Sequence, residues 1–125
     1  MYTELIETIN AVAATCEEKF NINSGGCCYF AYLIAEWLEA YDIEYRFIIQ
    51  DDGPIDGVSG KHYCLQIMPS KLFINKLSKY SHIKTTQLTS SQIFSYYRKS
   101  NWSEKYDICN NAVVKKAIDN IFNII

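Results

Sequence analysis

A chain of 125 residues has the length of a single domain, 1–125, enough to bury a real core and too little for a second one. Hydrophobic residues at 49% against 21% charged exclude an intrinsically disordered chain, which would be poor in apolar and rich in charged residues. A net charge of −2 gives no long-range basic field for nucleic acid or anionic lipid, while leaving room for a local patch.

The first residues, Met1-Tyr2-Thr3-Glu4, enter an amphipathic pattern without the basic region and apolar stretch of a secretory signal. No apolar run approaches the roughly 18 residues of a membrane span. The expected compartment is the cytoplasm, with neither a membrane nor a nucleic acid as partner. The five cysteines, at 16, 27, 28, 64 and 109, are odd in number and lack CxxC spacing, so reduced thiols are expected.

From Glu4 to Phe20, Leu5, Ile6, Ile9, Val12, Ala13, Cys16 and Phe20 recur at three and four, which predicts a helix with Cys16 in its apolar face. Asn21 to Gly26 form a loop in which Asn23 or Ser24 can cap a second helix, from about Gly26 to Tyr41. Its stripe is Phe30, Leu33, Ile34, Trp37, Leu38 and Tyr41. At about 100° per residue, Cys27 falls near the edge of that stripe, whereas Cys28 shares a side with Ala31 and Ala35. Those small residues would let a sheet approach, presenting the Cys28 thiol to it. The competing reading is that both cysteines only pack, since free cysteine behaves as a small buried hydrophobe.

Ile43 to Gln50 is β-branched and aromatic and predicts a strand. The turn-rich stretch Asp51 to Gly60 resembles a calcium loop in composition but lacks its ligand spacing, so a rim loop beside a cleft is expected rather than a metal site. Lys61 to Met68 and Lys71 to Lys76 predict a hairpin across Pro69-Ser70. If Met68 pairs with Lys71, paired numbers sum to 139. His62, Cys64 and Gln66 then share a face with Phe73 and Asn75, and His62 and Asn75 become diagonal neighbours.

Ser78 to Ser91 reads as a polar, turn-like connection containing a solvated His82. Ser90 or Ser91 can cap a helix to about Lys99 that uses Ile93, Phe94 and Tyr97. A last helix from about Ser103 carries Tyr106, Cys109, Val113, Ala117, Ile121 and Ile124. Tyr96, Tyr97 and Trp102 are expected as core anchors in preference to groove walls.

Cysteine catalysis on amide bonds needs a thiolate, an imidazole and a polar group that orients the imidazole. Cys28, His62 and Asn75 can fill these roles. A helix N-terminus and His62 would lower the Cys28 pKa, and the Cys28 amide with Asn21 or Asn23 would hold an oxyanion. Cys27 sits beside the nucleophile, while Gly25 and Gly26 leave room for a substrate. No cofactor and no metal are expected.

This order of loop, cysteine at a helix start, strand, histidine opening a strand and asparagine ending the next resembles the papain-like cysteine peptidase superfamily. Gly25-Gly26-Cys27-Cys28 is similar to the Gly-Gly-x-Cys of its arylamine N-acetyltransferase and transglutaminase-like branch, and the NlpC/P60-like core is comparable. Lys61 to Ile67 resembles the histidine strand, and Leu72-Phe73-Ile74-Asn75 the strand of the third residue. Ile22 stands where the papain pattern has Gln, and Ser24 where the acetyltransferase pattern has Arg. The resemblance implies an α+β papain-like core, a cysteine-bearing helix packed on a small antiparallel sheet, flanked by N- and C-terminal helices. It implies a small cysteine hydrolase or acyltransferase acting on peptide, isopeptide or other amide bonds of a peptide or protein substrate. The alternative is the same fold without catalysis, used as a protein-binding or inhibitory accessory module. A third reading, a redox or metal site of Cys27, Cys28, Cys64 and His62, needs a strained vicinal bridge or a zinc ion.

Overall fold

The computed structural model describes residues 2–20, 27–51, 62–68, 72–80, 82–86, 88–99 and 108–123. Among these, four helices and one antiparallel four-stranded sheet give an α+β fold. Helix α1, Thr3–Phe20, buries Ile6, Ile9, Ala13 and Cys16 at the predicted spacing. Glu4 in its first turn and Lys19 in its last complement the helix dipole.

Helix α2, Cys27–Ala40, is buried at Cys27, Cys28, Phe30, Ala31, Leu33, Ile34, Ala35 and Leu38. These residues lie on most sides of the helix, as required of a helix enclosed by its neighbours. It ends in a Schellman motif. The Asp42 amide donates to the Glu39 carbonyl at 3.1 Å and the Ile43 amide to the Leu38 carbonyl at 2.8 Å, with Asp42 at φ 58°.

The strands are β1, Tyr45–Asp51, β2, His62–Ile67, β3, Phe73–Ile74, and β4, His82–Thr86, in the spatial order β3-β2-β1-β4. Leu65 pairs with Ile74 and Gln66 with Phe73, the register expected of the hairpin. Phe47, Ile49, Tyr63, Leu65, Ile67 and Ile74 join the helices in one core, whereas Ile48, Gln50, His62 and Cys64 are buried outside that cluster. The pleat therefore turns His62 and Cys64 to the face opposite α2. Because β3 and β4 lie on opposite edges, the chain from Asn75 to Tyr80 starts a crossing of the sheet, and it does so over this second face. Gln50 fastens it: its Nε2 donates to the Leu77 carbonyl at 2.8 Å while its Oε1 accepts from the Leu77 amide at 2.9 Å.

Strand β4 replaces part of the connection expected between Ser78 and Ser91. It is exposed from His82 to Thr85, and a strand with so little buried surface shows no apolar alternation. Helix α3, Ser90–Lys99, is capped by Thr89 rather than Ser90 or Ser91. The Gln92 amide donates to Thr89 Oγ1 at 3.2 Å and the Thr89 amide to Gln92 Oε1 at 2.8 Å, a reciprocal capping box.

Helix α4, Ile108–Asn123, buries Val114, Ile118, Ile121 and Phe122 and leaves Val113 51% exposed, so its buried stripe is turned from the predicted one. The Phe122 ring decides this by stacking on Trp37 at 5.3 Å and Tyr41 at 6.2 Å. Tyr106, Trp102 and Ile124, and the side chains of Tyr96, Tyr97 and Cys109, lie outside the described residues. No helix among the described residues is long and apolar enough to cross a membrane.

Candidate functional site

Cys28 lies in the first turn of α2, as expected, but its thiol turns towards α3. Sγ donates to the Ile93 carbonyl at 3.8 Å, and the residue is 6% exposed. Burial, and then the neighbouring Cys27, push its pKa upwards. The benefit of a helix N-terminus is outweighed because removing a thiolate from water costs more than a terminal dipole returns. Cys27 faces the sheet instead, its thiol reaching the Tyr63 main chain, and burial raises its pKa as well. The two cysteines thus exchange the sides expected of them.

His62 is fully buried on the other face of the sheet. Its Nε2 donates to the Asn75 carbonyl at 2.5 Å, and its ring stacks on Tyr80 at 6.4 Å. The carbonyl can only accept, so the proton resides on Nε2 and the Nδ1 lone pair points into the interior, where it meets no hydrogen-bond partner among the described residues. Burial holds the imidazole below the ordinary histidine value, with the Asn75 carbonyl opposing and Lys79 adding to the effect.

His62 and Asn75 are therefore neighbours, as the register implies, but through the Asn75 main chain. Asn75 adopts φ 62°, which ends β3 and rotates its carbonyl towards the imidazole. Asparagine is among the residues that tolerate this left-handed conformation. The turn is anchored from α1, where Asn10 Nδ2 donates to the Phe73 carbonyl at 3.0 Å and Asn10 Oδ1 accepts from the Asn75 amide at 2.7 Å. Asn21, Asn23, Gly25 and Gly26, expected at the oxyanion and substrate positions, lie outside the described residues, as does the stretch 52–60.

The structure thus joins His62 to Asn75 and sets Cys28 apart from both, with the β-sheet between. Cys64, on the His62 face, donates to Gln50 Oε1 at 3.6 Å, and burial, followed by Cys27, pushes its pKa up to about 12. No group of three or more His, Cys, Asp or Glu side chains suited to a metal ion occurs among the described residues. Gln50 and Asn10 organise this region without having been anticipated. Gln50 follows the apolar run Phe47-Ile48-Ile49 near the end of β1, a usable signal, whereas Asn10 sits in a helix face where periodicity gives none.

A separate groove of about 910 Å³ opens between the N-terminus of α1, the end of α2 and the last turns of α4. Leu5, Val12, Ile43, Ile121 and Phe122 form its apolar wall, and Glu4 is the charged residue on it. Comparison with protein-family models, curated proteins and solved structures finds no match.

Proposed function

We propose that this chain is a non-catalytic accessory module that acts by binding a protein partner. The observation that carries the reading is the state of Cys28: a buried thiol with raised pKa, bonded to the Ile93 carbonyl and divided by the sheet from the only described imidazole in the core. A cysteine nucleophile requires a thiolate within reach of a base, and neither condition suits this arrangement. The papain-like resemblance is compatible with the proposal as an order of elements retained without the catalytic contacts. The competing reading, a Cys28-His62-Asn75 hydrolase or acyltransferase, requires Cys28 to leave α3 and meet an imidazole now held by a main-chain carbonyl.

Iodoacetamide labelling of the folded protein near neutral pH, mapped by tandem mass spectrometry, separates the two. Cys28 should label no faster than Cys16 or Cys64, and His62→Ala should leave its rate unchanged. Preferential labelling of Cys28 that depends on His62 would return the assignment to cysteine catalysis.

A further inference from the structure

The net charge of −2 conceals a strong segregation along the chain. The first 56 residues carry eleven acidic and two basic side chains, whereas residues 57–103 carry seven basic and none acidic. The basic stretch contains β2, β3, the crossing segment, β4 and α3. Lys76, Lys79 and Lys84 are exposed within it. Lys76 lies over the Phe73 ring at 4.6 Å and Lys79 over the Tyr80 ring at 5.1 Å, contacts that leave their charge available to an anion.

The two edges of the sheet differ. Asn10 from α1 covers the outer side of β3 by bonding the Phe73 carbonyl and the Asn75 amide. Strand β4 pairs with β1 on one side, from Phe47↔Thr86 to Asp51↔His82, and no described strand pairs with its other side. Its first four residues are exposed, including Ile83 at 44%. An edge strand directs main-chain donors and acceptors outwards, and an extended peptide can complete them as an added strand. Lys84 lies in the middle of this edge, in a stretch of sequence, residues 57–103, without an acidic residue; across the ladder, Asp51, opposite His82, is the acidic residue that the register brings to its face.

We propose that the outer edge of β4 docks an extended acidic segment of a protein partner, added as a further strand. Main-chain hydrogen bonds supply sequence-independent affinity, Lys84 selects carboxylates and Ile83 receives an apolar side chain from the opposite pleat. The inference rests on the binding-module reading and gives that module a surface and a partner chemistry.

Fluorescence anisotropy with a labelled peptide of alternating Glu and Val, matched to β4 in length, tests it. Controls are the same peptide N-methylated at alternate amides, a Lys-Val counterpart and an oligothymidylate of similar charge. The wild-type protein should bind the Glu-Val peptide alone, and Lys84→Glu should weaken that binding by about tenfold or more through like-charge repulsion. Circular dichroism of the variant confirms that it is folded.

Equal binding of the N-methylated peptide would refute strand addition. Preference for the oligonucleotide would make the surface a nucleic-acid site, and absence of binding would leave Lys84 as a guard against edge-to-edge association; either overturns the proposal. A negative result with inert Cys28 defeats only the β4 site, whereas fast His62-dependent labelling of Cys28 defeats the module reading itself.

Discussion

His62 is the residue whose ionisation should be felt most by the fold. In the unfolded chain its imidazole takes a proton near pH 6.5, while in the folded chain burial moves that event to lower pH. The unfolded state therefore binds more protons as acidity rises, so this contribution is intact above about pH 7. It is lost progressively as pH falls through about 6.5 towards the folded value, with a limiting slope of about 1.4 kcal/mol per pH unit for one proton. His62→Gln removes the titration while keeping a side-chain amide that can donate to the Asn75 carbonyl. Urea midpoints of wild type and variant should converge between about pH 7.5 and pH 5.5. A difference independent of pH would show that His62 does not titrate between the folded and unfolded states in this range.

At the scale of elements, Asn10 is the link between α1 and the edge of the sheet. One side chain supplies both a donor and an acceptor to the β3 main chain, at 3.0 and 2.7 Å. Asn10→Ala should cost about 1–3 kcal/mol because partly buried peptide groups lose their partners. Hydrogen exchange should accelerate at the Asn75 amide, and Asn10→Asp should restore the acceptor alone, protecting that amide without recovering full stability. Unchanged Asn75 exchange in the alanine variant would assign the edge contact no structural weight.

These elements also show where sequence reasoning reaches its limit. The periods of α1 and α2 and the hairpin register follow from local spacing, so the register placing Leu65 opposite Ile74 was legible. The thiol directions were not. Helical phase fixes the angle between Cys27 and Cys28, but only tertiary packing decides which of them meets β2 and which meets α3. Likewise the pairing predicts that His62 and Asn75 meet, while the single φ of Asn75 determines that the meeting uses a carbonyl. Strand β4 escaped because an exposed edge has little apolar pattern to read.

At the scale of the whole molecule, the last helix is what closes the core, and Phe122 is where it does so. Fully buried, Phe122 stacks on Trp37 and Tyr41, while its carbonyl accepts from the Tyr41 hydroxyl at 3.2 Å. One turn earlier, Asp119 accepts from Trp37 Nε1 at 2.8 Å and pairs with Lys115 at 2.7 Å. Burial tends to raise the Asp119 pKa, but the hydrogen bonds from Lys115 and Trp37 outweigh it and the net shift is downwards. Phe122→Ala should therefore cost about 3–5 kcal/mol, a large part of the roughly 5–15 kcal/mol that stabilises a domain. Val113→Ala, at a side chain 51% exposed on the same helix, should stay within about 0.5 kcal/mol. Urea unfolding followed by far-ultraviolet circular dichroism distinguishes the mechanisms. If α4 belongs to the single cooperative core, the Phe122→Ala midpoint falls with an unchanged slope. A reduced slope with a small midpoint change would mean that α4 detaches separately, and that the groove it shares with α1 is built on a local rather than a global equilibrium.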